Sequence, residues 1–182
     1  MDRRSAARVG AAAFLAFLGC IPLANWMIGH VGTVCAPPVP CLIPVAPGML
    51  APSGVMVAGI ALVLRDVVQR CLGTVWGLLA IAAGVACSVA VAPAQLALAS
   101  GAAFLLSELT DFAVFTPLQR RGLMLAVLAS AFGGLVVDSA VFLSLAFGSL
   151  AYLPGQVVGK TWAVLFSIPF VRLLRRVAPT PA

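Results

Sequence analysis

Four ionisable residues interrupt long apolar runs: Glu108 and Asp111 in Ser107-Glu108-Leu109-Thr110-Asp111-Phe112, then Asp138 and Lys160. A charge at the centre of a bilayer costs about 2.5–3.5 kcal/mol on insertion scales, so such a residue marks function unless pairing accounts for it. Glu108 and Asp111, at i and i+3, project from one helix face. At 1.5 Å per residue they lie about 18 and 14 Å from Arg120, with Asp138 about 26 Å from Arg121 and Lys160 about 18 Å from Arg172. Glu108 and Lys160 thus share a depth, and tilt can bring Asp138 level. Gln156, Lys160 and Ser167 fall on one face of their helix. Three carboxylates against one lysine leave an excess of acceptors, which suits a ligand rich in N–H donors, or proton traffic.

A purely structural role predicts pairs instead: Lys160 with Asp138 or Glu108, and Arg65 with Asp111. Arg65, Asp66 and Arg70 lie near an interface where long side chains snorkel, and Asp66 to Arg70 has helical i, i+4 spacing. Asn25 and Trp26, near one end of the first apolar run, read as an interfacial anchor or as the lid of a site. Trp162 and Trp76 read as further anchors.

Helices must hold these residues. Of 182 residues, 63% are hydrophobic and 9% charged, against about 45–50% and about 25% in soluble domains. That excludes an ordinary soluble globule, a disordered chain and a disulfide scaffold. Mean hydropathy is +1.15. A spanning helix takes roughly 20 apolar residues, so six spans use up the length. The expectation is a single domain over 1–182, all-α and polytopic, with spans near 8–28, 52–71, 74–92, 94–116, 122–147 and 154–173. Gly and Pro signals or arginine knots separate them. Arg3 and Arg4 before the run from Val9 to Leu23 also resemble a secretory signal, and Phe17-Leu18-Gly19-Cys20 a lipoprotein site. The further spans favour an uncleaved first helix.

The net charge of +6 does not indicate nucleic acid, because the basic residues form spaced knots rather than a stripe. Arg3, Arg4 and Arg8, then Arg65 and Arg70, Arg120 and Arg121, and Arg172, Arg175 and Arg176 fall on alternate connections. The intervening loops 29–51, 92–94 and 148–153 carry no formal charge. The positive-inside rule then places both termini in the cytoplasm of a bacterial inner membrane. The first outward loop holds Pro37, Pro38, Pro40, Pro44 and Pro47, yet Leu42 to Ala51 is apolar. It reads as a re-entrant cap over a cavity or as a stiff external loop. Cys35 and Cys41 there can form a disulfide in an oxidising compartment. A metal site with His30 lacks ligands, and Cys20, Cys71 and Cys87 read as packing residues.

No enzyme constellation emerges. The chain has one histidine and neither an H-E-x-x-H nor a G-x-S-x-G motif. Gly155 to Thr161 is one residue short of a phosphate loop and lies within a span. Gly155 and Gly159 form a G-x-x-x-G, a signal for close helix packing. The expectation is a non-enzyme without cofactor or metal.

Leu64-Arg65-Asp66-Val67-Val68-Gln69-Arg70, Ser107 to Phe115, Val137-Asp138-Ser139 and Gly155-Gln156-Val157-Val158-Gly159-Lys160 resemble, in their order and spacing, the VUT family of queuosine precursor transporters. The resemblance implies uptake of 7-cyano-7-deazaguanine, and of the 7-aminomethyl form as an open extension, with the bilayer as surroundings. A homodimer is a further expectation. It implies a binding site drawn from Glu108, Asp111, Asp138, Lys160, Gln156, Phe112, Phe115, Arg65, Asp66, Asn25 and Trp162. In that site Glu108 or Asp111 accepts from the N–H edge of the base, Lys160 or Gln156 donates to the ring carbonyl, and Phe112, Phe115 or Trp162 stacks. Two departures stand out: a shorter N-terminal stretch than in many members, and Glu108 where members can have glutamine. The alternatives are a membrane subunit that captures another vitamin or nucleobase for an ATP-driven module, and a structural membrane protein.

Overall fold

The computed structural model describes residues 3–35, 40–92, 94–118, 121 and 123–177. Six helices hold most of them: α1 (Arg3–His30), α2 (Val55–Leu72), α3 (Thr74–Val91), α4 (Ala94–Leu118), α5 (Leu123–Phe147) and α6 (Leu153–Val177). Each coincides with one expected apolar run to within a few residues. Gly73 ends α2, and its N–H bonds the Gln69 carbonyl. Among the described residues, Arg4–His30 and Thr74–Val91 are long and apolar enough to cross a bilayer.

The chain is mostly helical, as expected of an all-α protein, and its proline-rich loop adds one short hairpin. Residues Leu42–Ala46 (β1) and Met49–Pro52 (β2) form an antiparallel hairpin, with Leu42 opposite Pro52 and Pro44 opposite Leu50. Pro47-Gly48 makes the turn, and Gly48 has φ 70, a backbone that glycine adopts without steric cost. The register shifts between Pro44 and Ala46, so Val45 is the bulged residue. A two-stranded hairpin has two outer edges, where proline's missing N–H removes no ladder bond. A Cys35–Cys41 disulfide closes the loop before β1. Ser53 ties the hairpin to the end of α1, its hydroxyl donating to the Met27 carbonyl at 2.6 Å while its N–H bonds the Cys41 carbonyl.

The interior is built largely from small residues. Ala13 and Phe17 of α1 pack with Ala61, Val67 and Val68 of α2 and Ala80 of α3. Ala97, Ala99, Ala103 and Ala163 are buried as well. Lipid tails are as apolar as leucine, so helices associate in a bilayer by close packing, which small residues permit. Outward, Leu15, Val75, Leu98 and Phe166 are 68–71% exposed, a surface that water would not tolerate in patches and lipid does. The bundle is therefore organised with small residues inside and large apolar ones outside.

Gly155 and Gly159 perform a different task from the expected helix-to-helix contact alone. A Cβ on Gly155 would collide with the Leu50 carbonyl of β2, and one on Gly159 would fall 2.9 Å from Val55 of α2 and 3.2 Å from Val45 of β1. The G-x-x-x-G of α6 is thus the seat of the hairpin as well as a contact with α2.

Candidate functional site

Beneath the hairpin lies a cavity of about 80 Å³. One water needs about 10–15 Å³ by the same measure, so there is room for several. Five helices contribute to its wall. Ile21, Ala24 and Asn25 come from α1, Ala58, Ala61 and Leu62 from α2, Ser100 and Phe104 from α4, Asp138 and Phe142 from α5, and Gln156 and Lys160 from α6; Pro52 and Gly54 close the end toward the hairpin. Most of the wall is apolar, and polar groups enter it at few points, the usual construction of a small-molecule site.

The principal polar feature is an ion pair. Lys160 Nζ bonds Asp138 Oδ2 and, at 3.1 Å, the hydroxyl of Ser139. Ser139 in turn donates to the Leu135 carbonyl of its own helix. Lys160 is 2% exposed and Asp138 7%. Burial of either charge alone is costly, and each offsets the other's lost hydration. The sequence admitted either Asp138 or Glu108 as the lysine's partner, and the structure gives it Asp138. Gln156 lies one turn earlier on α6, 2% exposed. Its Oε1 has no hydrogen-bond partner among the described residues. Asn25, half-buried, donates through Nδ2 to the Ile21 carbonyl at 2.9 Å.

The second charged group lies further along α2 and α4, away from the hairpin. Arg65 reaches Glu108 through both terminal nitrogens, at 2.9 Å for Nη1 to Oε2. Its Nη1 also bonds Gln69 Oε1 at 3.0 Å, and its Nη2 pairs with Asp66 at 2.9 Å. The pairing of Arg65 with Asp111 that a purely structural role predicted is therefore corrected: Glu108 and Asp66 hold it. Asp111 lies within electrostatic reach of Asp66 and Glu108, and its Cβ approaches Gly134 of α5. The expected Asp66–Arg70 pair falls on an Arg70 side chain outside the described residues.

The expected site residues thus divide. Asn25, Asp138, Gln156 and Lys160 meet at the cavity, whereas Arg65, Asp66, Glu108 and Asp111 form the network beyond it. Trp162 is 44% exposed and its indole N–H donates to the Val45 carbonyl at 3.2 Å, so it fastens the hairpin instead of facing the cavity. The side chains of Phe112, Phe115 and Ser167 lie outside the described residues. Three contributors went unnoticed in sequence. Phe104 and Phe142 line the cavity, and apolar periodicity alone could not single them out. Ser139 follows Asp138 directly, and a hydroxyl beside a buried carboxylate was the available signal.

The site so defined is an internal, largely apolar cavity with a buried ion pair, inside a bundle of lipid-compatible helices of the kind a helical membrane protein has. The chain matches, over residues 88–181, the family described as "Putative vitamin uptake transporter", and it belongs to that family. The matched stretch contains α4, α5 and α6, and with them Glu108, Asp138, Gln156 and Lys160. No curated protein and no solved structure matches the chain.

Proposed function

We propose that this protein is a secondary carrier of the bacterial inner membrane that imports queuosine precursors: 7-cyano-7-deazaguanine and, by extension, its 7-aminomethyl form. On this reading all six helices span the bilayer, both termini face the cytoplasm, and the disulfide-closed hairpin faces the periplasm. The alternation of arginine knots with uncharged loops supports that orientation. Membership of a vitamin uptake family supports transport, and the motif resemblance supports the deazapurine.

The observation that carries the reading is the cavity itself. Five helices converge on it, the arrangement that lets alternating access open one side and then the other around a fixed site. The Phe104 and Phe142 rings stand on its wall beside the Lys160–Asp138 pair. At about 80 Å³ the cavity is a closed form of such a site; with the helices parted, a planar base can stack on a ring, present its N–H edge to Asp138 and its carbonyl to Lys160. Glu108 and Asp111, one to two turns further along α4, then serve the path beyond the cavity in place of the base-reading role expected from their sequence.

Thermal stabilisation of the purified protein in detergent tests this directly. A ligand at 100 times its dissociation constant adds about 2.7 kcal/mol. 7-Cyano-7-deazaguanine is expected to raise the midpoint where adenine and guanine do not. Folded protein that no deazapurine stabilises would overturn the substrate.

A further inference from the structure

The polar groups at the cavity are not equally committed. Lys160 is held by Asp138 and Ser139, so that pair is balanced within the protein. Gln156 is different. It is 2% exposed, it lines the cavity, and its Oε1 has no partner among the described residues. A buried acceptor without a partner forfeits the hydrogen bonds it had in water, and an apolar side chain of the same shape would carry no such penalty. Folding alone therefore gives no reason for an acceptor here. A ligand that brings a donor does.

We infer that Gln156 is the specificity-determining residue of this site: its Oε1 accepts a hydrogen bond from an N–H on the edge of the bound ligand. Lys160, at i+4, stands one turn away on the same face of α6. The two therefore address adjacent points of one planar molecule, a neutral acceptor beside a balanced ion pair. A ligand with an N–H there gains a buried hydrogen bond. One with a lone pair or a methyl group there leaves the amide oxygen unpaired, and sites built to hydrogen-bond discriminate sharply against such analogues. The inference rests on the cavity being the transport site and assigns to Gln156 a role opposite to the carbonyl donor expected from sequence.

The test compares wild type with Gln156→Met, which keeps the length of the side chain and removes the acceptor. The first readout needs no ligand. The midpoint of the ligand-free variant is expected to equal or exceed that of wild type, because a buried oxygen without a partner is removed. A lowered midpoint would show that the protein itself engages the amide, so that folding accounts for it, and would overturn the inference. The second readout is binding of 7-cyano-7-deazaguanine and of its 2-desamino and N1-methyl analogues, each of which removes one donor site. Wild type is expected to bind at least one analogue about ten-fold more weakly than the parent, and Gln156→Met to lose that discrimination. Equal discrimination by both proteins would overturn the assignment. Should wild type bind none of the three, the deazapurine reading fails by itself, and the ligand-free midpoint still decides whether Gln156 is an unpaired acceptor.

Discussion

Arg65 and Glu108 clasp α2 to α4 one helical turn beyond Leu62 and Phe104, the residues with which those helices reach the cavity. The clasp and the cavity are thus stacked along the same two helices, and a movement that parts α2 from α4 at the cavity must strain or break the pair.

Removing one partner of the clasp leaves a charge without its counterion. Arg65 is 13% and Glu108 28% exposed, so the cost should fall below the 3–5 kcal/mol of a fully buried pair, at about 1–3 kcal/mol. Arg65→Met is expected to lower the thermal midpoint more than Glu108→Leu, because Asp66 and Gln69 remain to hold the arginine in the latter. A double-mutant cycle should show a coupling of at least about 0.5 kcal/mol. Strict additivity would mean that the pair makes no contribution to holding α2 on α4.

The Lys160–Asp138 pair separates a carrier from a protein whose buried ions only fix packing. Lys160→Met or Asp138→Leu alone should destabilise by about 3–5 kcal/mol, since the abandoned partner is buried. The double substitution should recover most of that loss. What it should not recover is stabilisation by 7-cyano-7-deazaguanine. A doubly neutral protein that still binds the base as wild type does would remove this pair from the site.

The helices were legible because apolar runs of spanning length are bounded by glycine, proline or arginine, and those signals are local. The hairpin was not. Leu42 to Ala51 lacks the alternation of a half-buried strand and holds two prolines, Pro44 and Pro47, so its pairing is set by what it packs on, Gly155 and Gly159 of α6, more than a hundred residues away. The charged residues show the same limit. Counting residues along each helix gave depth, and depth put Lys160 level with Glu108 and left Asp138 higher unless a helix tilts, whereas Lys160 pairs with Asp138. Depth could not give the rotation of α2 against α4, which decides that Arg65 meets Glu108 and not Asp111. Nor could it reveal that the charges divide into two groups. Gln69, at i+4 from Arg65, was open to discovery by spacing alone.

The disulfide carries a topological consequence. Cys35 and Cys41 are joined, whereas Cys20, Cys71 and Cys87 take no part in a disulfide. Maleimide labelling of the denatured protein should therefore modify three thiols before reduction and five after it. Protein isolated from cells unable to form periplasmic disulfides should show five in both cases. The closed loop is short, and chain entropy alone credits such a bridge with about 2 kcal/mol, so Cys35→Ser should lower the midpoint without abolishing folding. Five reactive thiols in protein from oxidising cells would place the hairpin on the reducing side and reverse the orientation.

Gly155 decides whether the hairpin can sit on α6. The Leu50 carbonyl occupies the space a methyl group would need, and a backbone atom cannot swing aside as a flexible side chain would. Gly155→Ala must therefore lift β2 or shift the first turn of α6, at a cost of about 1–3 kcal/mol. Because Gln156 is the next residue and Pro52 of the same strand closes the cavity, the displacement should also be felt by ligand. The expected result is a lower midpoint together with weaker stabilisation by 7-cyano-7-deazaguanine, whereas Gly19→Ala, a glycine with open space around it, should alter neither. If Gly155→Ala loses stability but binds the base with wild-type affinity, the hairpin holds the bundle without shaping the site. If it changes neither quantity, the close approach of α6 to β2 does not exist in the folded protein.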